Sequence, residues 1–238
     1  MTRVYAITDI HGHKAALEHA LLLIEADGGK DASIVVLGDL VDRGPDSRGV
    51  IETLRCGCAD GRNWTVLRGN HDQLFLDFLA NGEIHSPDIR SGVSWLNPRM
   101  GGADTLRSYG VAATEADTQL DAARAAVPKS HVAFLNGLAY HHVFDDLLFV
   151  HAGIEPRAPL EWQTKRDMIW MREPFLSYTE PWPWLVVHGH TALDYPCHHG
   201  NRVNLDGGAG WGRPLLPAVF ERGECWLLTD AGRVPLRP

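Results

Sequence analysis

Five short clusters of aspartate, histidine and asparagine recur along this chain of 238 residues, which carries 13 histidines in all. They hold Asp9 and His11 in DIHG, Asp39 and Asp42 in GDLVDRGP, Asn70 and His71 in GNHD, His151 in VHAG, and His188 and His190 in HGHT. These side chains offer oxygen and nitrogen donors without thiolate, which suits Mn, Fe, Zn, Co or Ni and is too rich in nitrogen for Ca or Mg alone. The clusters therefore indicate a site for divalent transition metals.

Asp39 is the natural candidate to bridge two such ions. Two ions held about 3.5 to 4 Å apart need a shared ligand, and a carboxylate can offer one oxygen to each. Asp39, in the second cluster, also has candidate ligands both before and after it along the chain. A water molecule shared by two such ions loses a proton near neutral pH and becomes a strong nucleophile for phosphorus. The pattern is therefore typical of phosphorus chemistry at a two-metal centre.

Two arginines are candidates for holding an anion. Arg43 follows Asp42 in a loop made flexible by Gly44 and Pro45, and its guanidinium could hold a phosphate through two oxygens. Arg172, in the run IWMREP, is the second candidate. Taken singly, each arginine is more often a surface ion-pair partner, so both assignments depend on the clusters around them.

Each of the five clusters comes directly after a predicted β-strand. Short β-branched runs predict strands at 3–8, 33–37, 65–67, 147–150 and 185–187, followed by 202–205 and 225–228. In a parallel or mixed sheet the carboxyl ends of the strands converge on one edge, where open α/β folds place their sites. A single motif of this kind is more often a turn or a helix cap, but chance does not easily place all five at strand ends. We therefore expect the clusters to lie together.

Helical patterns alternate with the first three strands, which indicates an α/β fold. They predict helices at 14–26 and about 47–54, and a third helix that carries Leu74, Phe75, Phe78 and Leu79.

Between residues 80 and 136 the pattern changes to Gly, Pro and Ser with short helical pieces. We interpret 80–136 as a helical cap or insertion within a single domain spanning 1–238, where it forms one wall of a pocket and influences substrate choice. For its aromatic residues Trp95 and Tyr109, packing inside the cap is favoured over stacking on a nucleobase.

The composition excludes several classes of protein. With 30 acidic and 22 basic residues the formal net charge is -8, which argues against broad binding to nucleic acid, although a local basic pocket is compatible with it. No apolar run approaches the ~20 residues of a membrane helix, and the first residues lack the pattern of a signal peptide. We therefore expect a cytoplasmic protein with reduced cysteines, no membrane or nucleic-acid partner, and an oligomeric state that the sequence does not reveal.

The series DIHG, GDLVDRGP, GNHD, VHAGI and HGHT resembles the calcineurin-like metallophosphoesterases, within them the phosphoprotein phosphatase branch that includes bacterial and phage-type serine/threonine phosphatases. The resemblance runs from Asp9 to about Gly210. It implies an α/β (α+β) fold with a central β-sandwich flanked by helices. It also implies two divalent ions, manganese before the other metals, and in-line attack on phosphorus by a metal-bridging hydroxide.

The resemblance implies a role for each cluster residue. The first metal would be held by Asp9, His11 and Asp39, and the second by Asp39, Asn70, His151 and His190. His71 would be the acid that protonates the departing oxygen, with Asp42 as its orienting carboxylate. Arg43, Arg172 and Asn70 would hold the phosphate. We assign His188 to the substrate pocket because relatives of the eukaryotic type carry arginine there, with a buried strand-end histidine as the other interpretation.

Two departures from the family pattern bear on the activity. HGHT is followed by Ala192, where many relatives have a second histidine of a GHxH motif, so the first metal site is expected to be more open. GNHD replaces the commoner GNHE, and Asp72 is expected to act on the amino end of the next helix.

Three activities are compatible with this pattern. The first is a phosphatase acting on phosphomonoesters, with phosphoserine, phosphothreonine or phosphotyrosine in proteins as substrates. The second is a symmetrical dinucleoside tetraphosphate hydrolase, a subfamily that shares GNHD and HAGI. Asp42 favours the first, because those hydrolases typically read GDLVARGP and lack the orienting carboxylate. The third is a phospho-ligand binding module that has lost turnover.

Overall fold

A computed structural model describes residues 3–89 and 91–238 of the chain. Its strands, in chain order, are β1 (Val4–Ile7), β2 (Ile34–Val36), β3 (Trp64–Val66), β4 (His141–Phe144), β5 (Leu147–Val150), β6 (Leu185–His188), β7 (Cys197–His198), β8 (Arg202–Asn204), β9 (Ala218–Glu221), β10 (Glu224–Thr229) and β11 (Gly232–Pro235). The α-helices are α1 (Lys14–Gly28), α2 (Ser47–Ala59), α3 (Asn70–Asn81), α4 (Gly102–Ser108), α5 (Leu120–Ala126), α6 (Lys129–Asn136) and α7 (Lys165–Trp170).

The strands form two mixed sheets. One has the order β11-β10-β9-β1-β2-β3, with β1, β2 and β3 parallel to one another and β9 antiparallel to β1. The other has the order β4-β5-β6-β8-β7, with β5, β6 and β8 parallel and both edge strands antiparallel. The predicted α/β fold with a β-sandwich is confirmed.

A shared apolar core joins the two sheets. Strand β1 shows the two-residue alternation of a strand that is buried on both faces, with Val4 and Ala6 turned toward the second sheet and Tyr5 and Ile7 packed with the helices. The facing side chains include Phe149 of β5, whose ring meets that of Phe220 on β9 edge to face at 6.0 Å between centroids. Because the sheets share this core, the loops at their carboxyl ends are held in fixed relative positions.

The helices between β1 and β3 cover the outer face of the first sheet. Leu17, Ala20 and Ile24 of α1 are buried, as the helical pattern at 14–26 predicts. Helix α2 begins at Ser47, and the side chain of Asp46 caps it by accepting a hydrogen bond from the backbone N–H of Gly49 at 2.8 Å.

The segment 80–136 contributes α4, α5 and α6 and packs into the same core as α2 and α3. Trp95 has an exposed fraction of 0% and Tyr109 one of 6%, and both rings pack against Phe75 of α3, which favours packing over stacking on a nucleobase. Its helices pack against α2 and α3 on the side of the first sheet. The segment is therefore part of the apolar core as well as a wall of the pocket.

Several elements differ from the sequence prediction. Strands β4, β7, β9 and β11 and helix α7 were not predicted, and α2 extends to Ala59. Three of these strands lie at sheet edges and are short or half exposed, so they lack the apolar alternation that marks a strand. No helix within residues 3–89 and 91–238 is long and apolar enough to cross a membrane.

Candidate active site

The loops after β1, β2, β5 and β6 and the first turn of α3 meet at the carboxyl ends of the strands. Six of the nine non-glycine residues with positive φ in the described ranges lie in these loops, namely Asp9 (51°), His11 (45°), Asp39 (52°), Asp42 (75°), Arg43 (66°) and His190 (65°). Such backbone costs about 1–3 kcal/mol per residue and persists where the surroundings enforce it. Backbone hydrogen bonds tie the first two loops together, His11 N–H to Asp39 O at 2.8 Å and Gly12 N–H to Leu40 O at 2.9 Å. The strain is concentrated in the loops that carry the predicted chemistry.

Glycines permit the close approach of these loops. A Cβ on Gly69 would lie 2.1 Å from Oδ1 of Asp39, and a Cβ on Gly189 would lie 2.0 Å from Oδ2 of Asp9. Both carboxylates therefore contact backbone that has no room for a side chain.

The residues that the resemblance assigns to the second metal lie together. Asn70 Oδ1 is 3.0 Å from His151 Nε2 and 2.8 Å from His190 Nδ1, and His151 Nε2 is 3.4 Å from Asp39 Oδ1. The donor atoms of Asp39, His151 and His190 all lie within 4.8 Å of one another. Three of the four residues are buried, and His190 is half-buried.

The donor chemistry of this group fits a divalent cation. His151 Nδ1 lies 2.9 Å from the carbonyl oxygen of Leu37, which can only accept, so this nitrogen carries the proton and Nε2 presents a lone pair. Asn70 Oδ1 presents a second lone pair 3.0 Å away. Two lone pairs this close in a buried site repel each other unless one cation accepts both of them.

The first group is less complete. His11 Nδ1 donates to the carbonyl of Val41 at 2.9 Å, which turns Nε2 toward Asp39 Oδ2 at 3.6 Å. Asp9 is buried, and its carboxylate accepts from Thr8 Oγ1 at 2.5 Å and from the backbone N–H of His190 at 3.1 Å. The compact group on this side consists of His11, Asp39 and His71, with Asp9 beside it.

Burial disfavours the charged form of these carboxylates. It raises the pKa of Asp9 and of Asp39 well above the usual range, and the nearby carboxylates of Asp206 and Asp72 add to the respective shifts. Buried carboxylates this close to one another are stabilised in their charged form by cations. The electrostatics of the site therefore support the same conclusion as the donor atoms.

Asp42 and His71 form a buried pair beside the donor groups. His71 Nδ1 lies 2.6 Å from Asp42 Oδ2, and His71 Nε2 faces Nη2 of Arg43 at 3.1 Å. Burial raises the pKa of Asp42 to about 7 and lowers that of His71, with the charge of Arg43 adding to the latter. The side chain of His71 thus has one nitrogen fixed by a carboxylate and the other directed toward the cavity.

A cavity of about 490 Å³ opens onto these side chains. Both predicted arginines line it, together with Asp39, Asn70 and His71. The Arg43 guanidinium lies 4.3 Å from the ring centroid of Trp211, and its Nη1 is 2.7 Å from His11 Nε2. The positive charge of Arg172 contributes to lowering the pKa of His71 and of His190. Two guanidinium groups therefore face the same space as the donor atoms.

His188 lies elsewhere. It is fully buried, its ring meets that of Phe175 edge to face at 4.9 Å, and Nδ1 is 3.0 Å from the carbonyl of Gly189. His188 is not among the described residues that line the cavity, and this corrects the prediction that placed it in the substrate pocket. Burial lowers its pKa to about 3. The other interpretation, a buried histidine at a strand end, describes its position.

Several side chains at the site were not predicted. Asp206 lines the cavity and directly follows the strand predicted at 202–205, so the strand-end rule that gave the five clusters would have found it. Trp170 and Trp211 also line the cavity, and no local sequence signal marks them. Trp95 and Thr105 contact Asp42 from the segment 80–136, which the sequence predicts only as a wall of the pocket.

The fold and the site together define a class of protein. Two mixed sheets share a core, and the loops at their carboxyl ends bring Asp, Asn and His donors beside two arginines. This combination is that of a metal-dependent phosphoesterase.

The chain belongs to the calcineurin-like phosphoesterase family, whose sequence profile matches residues 2–218. The resemblance drawn from the motifs is confirmed, and so is the prediction of an enzyme, since members of the family are hydrolases that act on phosphate esters. The family uses a binuclear divalent metal centre.

Two kinds of relative are similar to the chain. Serine/threonine-protein phosphatase 1 of Salmonella typhimurium is 28% identical over 234 residues, which cover 92% of either chain. The symmetrical bis(5'-nucleosyl)-tetraphosphatase of Acidovorax sp. is 34% identical over 154 residues, which cover 65% of this chain and 45% of that protein. The chain thus spans less than half of the length of that tetraphosphatase.

Solved structures share the fold. A crystal structure described as a putative diadenosine tetraphosphatase superimposes with a TM-score of 0.67 at 22% identity, covering 99% of this chain and 94% of the other. A cold-active protein-tyrosine phosphatase of a Shewanella species does so with a TM-score of 0.64 at 17% identity, covering 100% of this chain and 81% of the other. At these identities the likeness concerns the fold alone.

Proposed function

We propose that the protein is a metal-dependent phosphatase that hydrolyses phosphomonoesters, with phosphoserine and phosphothreonine in proteins as its main substrates and phosphotyrosine as a further one. The observation that carries this proposal is the contact of 2.6 Å between His71 Nδ1 and Asp42 Oδ2 beside the metal donors. It supplies the oriented acid that a phosphomonoester with a basic leaving oxygen requires. The match to the Salmonella serine/threonine phosphatase over 92% of both chains supports the same substrate class.

In this proposal two divalent ions, with manganese as the native metal, bind at the two donor groups. Asp9, His11 and Asp39 would hold one ion, and Asp39, Asn70, His151 and His190 the other. When bound, the ions supply Lewis acidity toward the phosphoryl oxygens and an activated water molecule. The facing lone pairs of His151 and Asn70 and the buried carboxylates support this assignment.

The protein's own side chains complete the chemistry. Arg43 and Arg172 bind the equatorial phosphate oxygens, and Asn70 assists them from the first turn of α3. In its doubly protonated form, whose charge the Asp42 carboxylate balances, His71 donates the Nε2 proton to the departing oxygen, while Asp42 accepts from Nδ1–H and keeps the ring oriented. Stacking on Trp211 restricts the Arg43 guanidinium, so less freedom is lost when a phosphate binds.

A symmetrical dinucleoside tetraphosphatase is the second candidate. It is favoured by the 34% identity to the Acidovorax enzyme and by Trp211, which is 56% exposed at the cavity and could stack on a nucleobase. The presence of Asp42 favours the phosphomonoesterase, since this carboxylate orients His71, the proposed acid.

A comparison of rates distinguishes the candidates. With manganese bound, we expect kcat/KM on a phosphoserine peptide to exceed that on diadenosine tetraphosphate by at least about 10-fold. A dominant rate on the dinucleotide would refute the phosphatase proposal in favour of the second candidate. Two bound metals without hydrolysis of a phosphopeptide, nitrophenyl phosphate or the dinucleotide would indicate a binding module.

His71→Asn tests the role of the acid in the same assay. We expect metal content to be unchanged and kcat to fall about 100-fold on phosphoserine peptide, with a much smaller loss on nitrophenyl phosphate, whose leaving group needs no proton. Equal losses on the two substrates would argue against the acid.

A cytoplasmic location and a single domain spanning 1–238 stay predictions.

A further inference from the structure

Asp42 is held by two side chains from the segment 80–136. Its Oδ2 accepts from Trp95 Nε1 at 2.8 Å in addition to its contact with His71, and its Oδ1 accepts from Thr105 Oγ1 at 2.6 Å. These partners lie 53 and 63 residues further along the chain. Asp42, Trp95 and Thr105 each have an exposed fraction of 0%, so protein groups and not solvent satisfy the carboxylate.

The same segment also fixes the backbone of the Asp42 loop. The backbone N–H of Asp42 contacts Thr105 Oγ1 at 2.8 Å and Ser47 Oγ at 3.1 Å. A Cβ on Gly101, just before α4, would lie 2.2 Å from the backbone nitrogen of Arg43. Because Asp42 has a φ of 75°, this close packing is what keeps its backbone in an unfavourable conformation.

Helix α3 holds Trp95 and His71 in fixed relative positions. The Trp95 ring packs on Phe75 and Phe78, with ring centroids 5.8 and 5.0 Å apart. Both phenylalanines lie on the helix that carries His71 in its first turn. The indole N–H and the imidazole therefore reach the same carboxylate oxygen from one rigid support.

We propose that Trp95 and Thr105 are positioning residues for the acid, and that the segment 80–136 takes part in turnover by fixing Asp42 against His71. The proposal rests on the proposed phosphatase function. A carboxylate held by two further donors has one orientation, and the imidazole bonded to it then directs Nε2 toward the cavity. Without these donors Asp42 could turn, and His71 would lose its alignment without losing its place in α3.

Trp95→Phe removes the indole N–H and keeps an aromatic ring at the position. Thr105→Val keeps the branched shape and removes the hydroxyl, which donates to Asp42 Oδ1 and accepts from the Asp42 backbone N–H. We expect each to lower kcat about 10-fold on a phosphoserine peptide while KM and metal content stay unchanged, and to leave nitrophenyl phosphate within about 2-fold. Thr105→Ser, which restores the hydroxyl, should recover most of the lost rate. Tyr109→Phe is the matched control, because it removes a buried hydrogen bond of 2.8 Å to His131 from the same segment without touching Asp42.

A double-mutant cycle separates positioning from a structural effect. If Trp95 acts through His71, adding Trp95→Phe to His71→Asn should change the rate on phosphoserine peptide by less than about 2-fold. Three results would overturn the proposal and leave the phosphatase function standing. They are equal losses of rate on phosphoserine peptide and nitrophenyl phosphate, an additive loss in the double-mutant cycle, and the same loss of rate in Tyr109→Phe. If the wild-type protein hydrolyses no phosphomonoester, the proposed function itself has failed. Thermal unfolding shows whether each variant is folded. If Trp95→Phe does not fold, the comparison of Thr105→Val with Thr105→Ser still tests the proposal.

Discussion

Asp39 is the residue that the two donor groups share. Its Oδ1 lies 3.4 Å from His151 Nε2, and its Oδ2 lies 3.6 Å from His11 Nε2, so the two oxygens face different groups. Its Oδ1 also accepts the backbone N–H of His71 at 3.0 Å, which fixes the direction of the carboxylate. The loss of charge at this one position should therefore affect both metals at once.

Asp39→Asn should lower metal loading and activity together. The amide keeps the shape of the side chain but has only one acceptor oxygen and no charge, so we expect at least one ion to be lost and turnover to fall by more than about 100-fold. Metal analysis of the purified variant and its rate on nitrophenyl phosphate measure the two effects. Asp121→Asn, at a fully exposed carboxylate, should change neither. Near-normal turnover with two ions bound would refute the bridging role.

At the scale of residues, the sequence predicts the side chains that follow strands and misses those that act from a distance. The strand-end rule brings Asp39, Asn70 and His151 to one site, as the structure finds them. Trp95 and Thr105 reach Asp42 from more than 50 residues away, and a local pattern carries no information about such a contact. His188 was misplaced because it directly follows the strand predicted at 185–187, whereas in the structure it is the last residue of β6 and its ring turns toward Phe175.

Among the elements, helix α3 is joined at its amino end to the loop after β2. Asp72 in its first turn accepts three backbone N–H groups, from Gly69 at 2.8 Å, Leu40 at 2.9 Å and Asp39 at 3.0 Å. The first bond closes the helix start, as expected from GNHD, and the other two tie the helix to the loop after β2. This carboxylate joins two of the loops that carry donor atoms.

Asp72→Ala should destabilise the protein even without metal. It leaves three buried N–H groups without their acceptor, so we expect the free energy of unfolding to fall by about 3 kcal/mol. Urea unfolding in the presence of a chelator measures this loss apart from any effect on metal binding. Asp77→Ala, in the same helix with a carboxylate bonded to the side chain of Gln73, should cost less than about 1 kcal/mol. Equal losses in the two variants would contradict the role given to Asp72.

The last strand is tied to the rest of the fold by ion pairs. Arg233 of β11 donates to Asp27 at the end of α1 at 2.7 Å and to Glu221 of β9 at 2.9 Å, and Arg3 also contacts Glu221 at 3.0 Å. Hydrogen bonding to Arg233 holds the pKa of Asp27 below its usual value. A lowered pKa means that the ionised form stabilises the fold at neutral pH and that this stability is lost as the pH falls through the lowered pKa.

Asp27→Asn should therefore lower Tm at pH 7, and the difference from the wild type should shrink as the pH falls below about 4. Thermal unfolding at pH 7, 5 and 3 measures this trend. Glu25→Gln, on the same helix and 38% exposed, is the control that should show almost no difference at pH 7. A difference for Asp27→Asn that stays constant down to pH 3 would rule out the ion pair as its cause.

Elements with a continuous pattern could be predicted, and those that depend on a partner could not. Strands β1, β2 and β5 are buried runs and helix α1 has an apolar face, so their sequences show what they are. Strand β4 reads HHVF and is half exposed at a sheet edge, and β7 has only two residues. Such strands form because a neighbouring strand offers hydrogen bonds, which a local pattern does not reveal.

In the whole molecule, the site lies where the loops of two sheets meet. Donors after β1 and β2 come from one sheet, and those after β5 and β6 come from the other. Hydrogen bonds cross between them, as when the backbone N–H of His190 donates to Asp9 at 3.1 Å. The alternation of strands and helices predicts the α/β class, but the sandwich was expected only from the family resemblance, because nothing local in β8 or β10 says which sheet each strand joins.

The net charge of -8 includes carboxylates that are buried at the site. Two divalent ions would offset about four of these charges, which leaves the cavity and its two arginines able to accept a phosphate dianion. Metal binding and substrate binding should therefore depend on each other.

Manganese titration of the metal-free protein tests the central claim, that one site with two metal groups hydrolyses phosphomonoesters. The rate on a phosphoserine peptide is measured as manganese is added, with bound metal counted in the same samples. We predict no turnover without metal, and turnover that rises with binding and stops rising at two ions per chain. Full activity in the metal-free protein, or none with both ions bound, would contradict this account.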